Sequence, residues 1–379
     1  MSKINELIKE MCPNGVEYVK LEELVDYIQP AKYIVKNTNY DIKYDVPVLT
    51  AGQTFILGYT NEKDGIYYAS ADNPVIIFDD FTTSNHWVDF NFKVKSSAMK
   101  ILISKTDNLF KYIYYCISNI DYVPKEHSRQ WIQVYSQFPI PLPPLKVQEE
   151  IVRILDKFGE LEAELEAELE TRKSQYEFWR GNLLFNPNYP VYKMEDICII
   201  NQGLQIPINQ RKKEPGENRY FYITVQFLKN EGENYYIENP SESVICKKDD
   251  ILVTRTGSTG KIVYGVEGCF HNNFFKVTPI INLNKKYLYH VLNSTQMFNE
   301  MLRAASGGTV PDLPHKKFYK LEIGLPSIEE QKKIVTILDK FENLISDISI
   351  GLPAEIELRR KQYKYYRNKL LSFEELSCE

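Results

Sequence analysis

The eight residues IVRILDKF at 151–158 return as IVTILDKF at 334–341, 183 positions later, with only Arg153 and Thr336 different. A chain that writes one segment twice folds it twice, so two equivalent elements must organise whatever lies between them. The match extends outward. LPPLKVQEEIVRILDKFGEL (142–161) aligns without a gap with LPSIEEQKKIVTILDKFENL (325–344), and RKSQYEFWRGNLL (172–184) aligns with RRKQYKYYRNKLL (359–371). The offset grows from 183 to 187, so the second copy carries four extra residues, near SIGLPAE at 349–355. CPNGVEYVKLEEL (12–24) also resembles NPNYPVYKMEDI (186–197). The chain therefore reads as two tandem halves, about 1–186 and 187–379, each a variable body followed by a near-constant tail. The expected division is an N-terminal helical segment at 1–18, a body at 19–145, a tail at 146–186, a second body at 187–325 and a second tail at 326–379.

The tails read as helices. Ile151, Leu155, Phe158, Leu161, Leu165 and Leu169 recur at steps of three and four, as do Ile334, Leu338, Phe341, Ile345, Ile348 and Leu352. Such a narrow seam suits a partner helix. Pro143 and Pro144 exclude helix before the first tail. A helix from Val147 to Leu184 would be about 57 Å long at about 1.5 Å per residue. Ser327 and Glu330 form an S-x-x-E capping box that starts the second. Gly351 and Pro353 imply either a kink or a break in it. Neither helix can bury its seam alone. The simplest arrangement is antiparallel packing of one on the other as a coiled coil, with a pseudo-twofold relation between the halves; the alternative is that each tail lies on its own body.

The bodies read as mixed α/β folds. Short apolar or alternating runs such as NPVIIFDD, FNFKVK, DILVTRTG and FFKVTPI are separated by Gly, Asn and Asp turns. Each body has one helical stretch, at 108–120 and at 285–305. The net charge of −5 is unevenly spread: residues 146–186 hold 6 basic and 10 acidic side chains, 19–145 hold 12 and 14, and 187–325 hold 17 and 14. The acidic excess is concentrated in the first tail, which leaves room for a basic face elsewhere. No run of about 18 apolar residues is present, so no membrane association is expected. Six scattered cysteines without a CxxC pair, and an N-terminus without an apolar leader, point to a reduced, cytoplasmic protein.

Taken together, IPLPPLKVQEEIVRILDKF with its echo IGLPSIEEQKKIVTILDKF, the tails RKSQYEFWRGNLL and RRKQYKYYRNKLLSF, the opening ELIKEMCPNGVEYVKLEEL and the phrase DILVTRTGSTGKI resemble the specificity subunit of Type I restriction-modification systems over essentially the whole chain. The resemblance implies an α+β chain with two target recognition domains separated by two long antiparallel helices. Each domain would read one half of a split duplex DNA sequence. The helical tails would space the half-sites and dock two modification (adenine methyltransferase) subunits, with restriction subunits joining the full complex. No active site, metal or cofactor is implied for the chain itself.

With DNA as the expected partner, several loops become candidates. In the second body, Arg255, Ser258 and Lys261 lie in TRTGSTGK, whose glycines let backbone approach a phosphate; an ordinary hairpin turn is the plainer reading. His271, Asn272 and Asn273 lie in HNNF, and Asn can bind adenine bidentately. Ser306, Gly307, Gly308 and Thr309 lie in SGGTVPDL, which resembles a loop the family uses near DNA. Arg211, Lys212 and Lys213, with Arg219, form a candidate phosphate patch in QRKKEPGENR. In the first body, DDFTTSNHW offers Thr82, Thr83, Ser84, Asn85 and His86, and KEHSRQW offers His127, Ser128, Arg129 and Gln130. Trp131 reads as a core anchor. In the tails, Ile151, Leu155, Phe158, Leu165, Ile334, Leu338, Phe341 and Ile345 are the expected packing residues.

Enzyme motifs fail on inspection. GSTGKI lacks the Ser/Thr that a P-loop needs after Lys261, where Ile262 stands. NPNY at 186–189 has no Gly-rich cofactor loop beside it, and the repeat makes it a connector. Pro311-Asp312 followed by Glu330-Gln331-Lys332 spells a nuclease-like pattern, but the second part opens a capped helix rather than a strand. The rival from another class is a coiled-coil adaptor with two ligand-binding heads, which would lack salt-sensitive duplex binding.

Overall fold

The computed structural model describes residues 2–50, 54–229, 233–307, 310–346 and 351–376. It divides into two compact units, Met1–Glu164 with Ile356–Glu379, and Leu165–Glu355.

The same sheet plan is built twice. In the first unit, strands Val25–Ile28, Met99–Ser104, Val75–Asp79 and Asn85–Val88 form an antiparallel sheet in that order. Beside it, Val46–Leu49 pairs antiparallel with Ile56–Thr60 and parallel with Lys93–Val94. In the second unit, Cys198–Gln202, Phe274–Pro279, Ile251–Thr254 and Ile262–Val263 repeat the first sheet. Arg219–Ile223 pairs antiparallel with Tyr236–Glu238 and parallel with Gly268–Phe270, which repeats the second sheet. The central strand explains why two sheets share one body. Val75–Asp79 is buried throughout. Its alternate residues serve different cores: Ile76 and Phe78 face one with Trp131 and Tyr135, Val75 and Ile77 the other with Phe92 and Val94. Ile251 and Val253 against Leu252 do the same in the second unit. Each body's start is tied to its end by one short antiparallel pair, Glu17–Lys20 with Pro139–Leu142 and Val191–Lys193 with Glu322–Gly324.

The helical stretch 108–120 is the single helix Phe110–Asn119. The stretch 285–305 is not one helix but two, Lys285–Leu292 and Thr295–Ala304. The Ser294 hydroxyl ends the first by accepting the Met297 amide at 3.2 Å and capping the second.

The first tail is one 40-residue helix, Leu145–Leu184, starting directly after the two prolines. The second tail is broken: Ile328–Ser346 and Leu352–Leu370 are separate helices. Pro353 sits in the first turn of the later helix, where a missing N–H costs little. The Ser327 hydroxyl accepts the Glu330 amide at 3.3 Å, the N-cap half of the expected box, while the Glu330 carboxylate pairs with Lys333 at 3.5 Å. The seams divide their labour. Their early turns lie on their own bodies: Val147, Ile151 and Leu155 join the core around Tyr112 and Ile113, and Ile334 and Leu338 join that around Tyr287 and Leu288, to which Ile345 in the last turn also belongs. Their later turns meet the other tail. In the first unit Phe158 stacks on Tyr366 at 5.4 Å and Glu162 holds Arg360 at 2.6 Å, an antiparallel register. In the second unit Tyr176 meets Phe341 at 6.2 Å. Leu165 is half-buried, and Ile348 lies outside the described residues.

The repeat is also visible in polar detail. Gln148 accepts the Leu109 amide at 3.1 Å and donates to the Pro143 carbonyl at 2.8 Å. Gln331 accepts the Asn284 amide at 3.0 Å and donates to the Pro326 carbonyl at 2.9 Å. Further along, Tyr115 donates its hydroxyl to Asp156 in one half, and His290 bonds Asp339 at 2.7 Å in the other. Burial holds the His290 pKa below its ordinary 6.5, against the opposing pull of Asp339. A group whose folded pKa is depressed contributes stability above the unfolded value, and loses it as pH falls through that range. Burial acts the same way on His86, His271 and His315. His290→Tyr, which copies Tyr115, should therefore lose less Tm than wild type between about pH 7.5 and pH 5. Equal losses in a thermal melt series would contradict this account of His290.

Candidate nucleic-acid interface

In each body the buried central strand runs into a loop at one end of the sheet. The two loops share a backbone frame. The Asp79 amide donates to the Ser84 carbonyl at 2.8 Å, and the Thr254 amide donates to Lys261 at 2.9 Å. Each loop is pinned to the segment that returns towards the tail. The Gln130 amide donates to the Asp80 carbonyl at 2.8 Å, and the Leu313 amide donates to Arg255 at 3.1 Å. Each loop also holds a non-glycine residue at positive φ, Thr83 at 63° and Ser258 at 122°. Such backbone costs about 1–3 kcal/mol and persists only where its surroundings over-determine it, which is typical of binding and switch sites.

In the second body three of the candidate segments converge on Arg255. Its guanidinium donates to both carboxylate oxygens of Asp312, at 2.7 and 3.0 Å. Its amide donates to the Asn273 carbonyl at 2.6 Å. Each partner stabilises the other's charge, so Asp312 titrates below and Arg255 above its usual range. The Thr259 hydroxyl donates to Pro311 at 2.5 Å, and Ser306 bridges Asp312, so the loop before the tail is tied down at both ends. Ser306 and Gly307 are exposed there; Gly308 and Thr309 lie outside the described residues. Lys261 is exposed and Ser258 half-buried. His271 accepts the Asn273 amide at 3.1 Å, and Asn272 donates to Gln205 at 3.3 Å.

The basic patch is more constrained than its sequence implies. The Arg211 guanidinium lies over the rings of Tyr222 and Tyr235 at 5.0 and 5.4 Å and donates to the Ile206 carbonyl. Lys212 pairs with Glu238 at 3.7 Å, Lys213 with Glu233 at 2.9 Å and Arg219 with Glu238 at 3.3 Å. These glutamates offset much of the charge that a phosphate would meet.

In the first body the candidates separate into presented and internal groups. Thr82, His127, Ser128 and Arg129 are exposed. His127 stacks on Phe81 at 4.7 Å, and Arg129 lies 6.0 Å over the other aromatic partner in that contact, the Phe81 ring. Thr82 and Ser84 share a hydroxyl–hydroxyl bond at 3.0 Å. Asn85 accepts the Ser118 hydroxyl at 2.5 Å, and His86 stacks on Phe55 at 4.0 Å. Thr83 is buried. Gln130 is buried too, accepting from the Tyr122 hydroxyl at 2.8 Å and donating to Ser128. Trp131 is a core residue, edge-on to Phe78.

Sequence reasoning passed over Asp80 and Phe81, and weighed Asp312 only within the rejected nuclease-like pattern. Nothing local in the sequence marks the two acids; their pairing with Arg129 and Arg255 in the fold singles them out. Among the described residues one group has metal-ligand spacing, His290, Asp339 and Glu342. Lys286 already stands 3.6 Å from Asp339 and 3.7 Å from Glu342, so an ammonium supplies the positive charge there. Burial pushes the Cys198 and Cys269 thiols up to about 12, which keeps them protonated.

The strained frame makes a direct prediction. Ser258→Gly should raise Tm by relieving strain and Ser258→Val should lower it by adding strain, with changes in stability of up to about 1–3 kcal/mol. Equal melts for all three chains would show that the loop relaxes without cost.

Comparison with known proteins follows the same two-body division. The family model for the Type I restriction modification DNA specificity domain matches twice, at residues 13–171 and 186–358. The chain is 43% identical over 400 aligned positions to the Type I restriction enzyme EcoR124I/EcoR124II specificity subunit of Escherichia coli, covering 98% of each. Its fold is similar to the crystal structure of a Type I restriction-modification S subunit from M. genitalium, with a TM-score of 0.56 at 14% identity, covering 94% of this chain and 96% of that one. It is also similar, with a TM-score of 0.58 at 15% identity, to a chain from a structural study of complex assembly and conformational transition in a Type I restriction-modification system, covering 95% and 98%. Two matches to one domain model, laid on two copies of one sheet plan, make this chain a member of the Type I restriction-modification specificity subunit family.

Proposed function

We propose that each body reads one half of a split duplex DNA sequence, and that the chain does so as the non-catalytic recognition subunit of a methyltransferase and endonuclease complex in the cytoplasm. The observation that carries this reading is one loop frame presenting two different sets of side chains. Thr82, His127, Ser128 and Arg129 stand on it in the first body; Lys261, Ser306 and Gly307 stand on it in the second. Equal frames with unequal side chains suit two different half-sites, with base edges read by short donors and acceptors and phosphates by backbone and cations. Gly308 and Thr309 belong to the same proposed contact set. His271, Asn272 and Asn273 would act mainly by shaping the turn beside Arg255, and Arg211, Lys212 and Lys213 by secondary phosphate contacts.

The tails serve as spacer and dock. A 40-residue helix is about 60 Å long, more than the roughly 34 Å of one duplex turn. Two equivalent tails offer two equivalent surfaces, one for each of two modification subunits, with restriction subunits completing the nuclease. The acidic run ELEAELEAELE would face away from phosphate.

Co-expression with a modification subunit and mapping of methyladenine across host DNA tests the reading. The expected result is a split motif with a constant gap, lost when this chain is deleted. Exchange of residues 19–145 for another body should change one half of the motif and leave the other. Methylation independent of this chain, despite a stable complex, would favour an adaptor role instead.

A further inference from the structure

The two bodies lock their candidate DNA loops with ion pairs of opposite polarity. In the second body Arg255, on the loop after the central strand, holds Asp312 on the returning segment at 2.7 Å. In the first body the acid is on the first loop and the base on the second: Asp80 meets Arg129 at 3.4 Å. These positions correspond. Asp80 and Arg255 each follow the last residue of the central strand, Asp79 or Thr254. Arg129 and Asp312 each precede the residue whose amide closes the frame, Gln130 or Leu313. The acidic member in the first body is the more deeply set. Asp80 is buried, accepts the Trp131 amide at 2.9 Å and also faces Lys100 at 3.4 Å. Arg255 and Asp312 are each about one-third exposed and bonded through two oxygens.

We infer that Asp80–Arg129 and Arg255–Asp312 are charge-reversed clamps that set the spacing of the two loops in each body, so that Arg255 and Arg129 are positioning residues rather than readers of bases. The observation that carries this for Arg255 is its two-point pairing. Its Nε and Nη2 both donate to the Asp312 carboxylate, which fixes the plane and direction of the guanidinium within the protein itself. The reversal also guards against mispairing of equivalent segments during folding. A loop paired with the other body's returning segment would set Asp80 against Asp312, or Arg255 against Arg129.

The clamp rests on the DNA-reading proposal for its purpose but not for its existence, and two measurements on the full chain separate them. The first is amide hydrogen exchange. Arg255→Asp should speed exchange at Leu313 by about tenfold, and the double variant Arg255→Asp/Asp312→Arg should return it to within about threefold of wild type. Arg129→Asp should do the same at Trp131. Unchanged exchange in the single variants, or no recovery in the swap, overturns the clamp. The second is base preference, read as enrichment from a random-sequence duplex pool by the chain with its modification subunit. Arg255→Asp should blur one half of the enriched motif, and the swap should sharpen it again while Tm stays near wild type. A swap that restores exchange but not preference makes Arg255 a direct DNA contact and overturns the positioning role. Should wild type enrich no motif at all, the DNA reading fails, and the exchange result still decides the clamp.

Discussion

One buried glutamine at the head of each tail sets the geometry on which the rest of each body depends. Gln148 and Gln331 are almost fully buried. Each uses its amide to join the end of the body's last strand and the first turn of the tail, which are neighbours in sequence, to the start of the body helix, 39 or 47 positions earlier. A buried amide left half-satisfied is costly, so these bonds hold the tail at one angle to its sheet. The next turns then bring Asp156 to Tyr115 and Asp339 to His290, where the acid is constant and its partner differs. The frame tolerates that change because only the acceptor's position matters.

The far end of each tail packs in the unit of the other body. Residues 165–184 of the first tail belong to the second unit, and residues from Ile356 onward belong to the first. Tyr176 carries the Arg180 guanidinium over its ring at 5.0 Å, and Arg180 reaches Thr295. Tyr363 carries Arg367 at 5.3 Å, and Arg367 reaches Asn119. Each body is thus completed by a tail that follows the other. In the first unit the chain end joins the opening segment: the Val16 amide donates to Glu374 at 2.9 Å, and the Leu376 amide donates to Val16 at 3.0 Å. Gly15, at φ 92°, is needed there because a Cβ would strike the Glu374 carbonyl. Each tail contributes one stretch to each unit, whereas each body's candidate loops belong to one unit.

Local pattern carried the two-half plan, the tail helices and their starts, because helical periodicity and proline placement are written residue by residue. The interruption of the second tail was visible as a conflict at Gly351 and Pro353 but not as an outcome, since only tertiary packing decides between a kink and two helices. The break at Asn293–Ser294 was missed because apolar periodicity continues across it; a single hydroxyl cap outweighs that periodicity. The candidate loops were found as groups, through their glycines and short polar residues. Their division into presented and internal members was not legible. Gln130, Asn85 and His86 look like base readers in sequence and are held by Tyr122, Ser118 and Phe55, each 8 or more positions away. Long-range pairing leaves no local trace, and only the shared loop frame of the fold puts Asp80 and Arg255 in corresponding places.

Two equivalent frames, on this reading, meet DNA at two separate places. Hydroxyl-radical footprinting of the chain with its modification subunit, on a duplex carrying the mapped site, tests it most directly. The account predicts two protected patches with a less protected gap, and loss of one patch alone when residues 19–145 are exchanged. One continuous patch, or protection that vanishes entirely with that exchange, would contradict it.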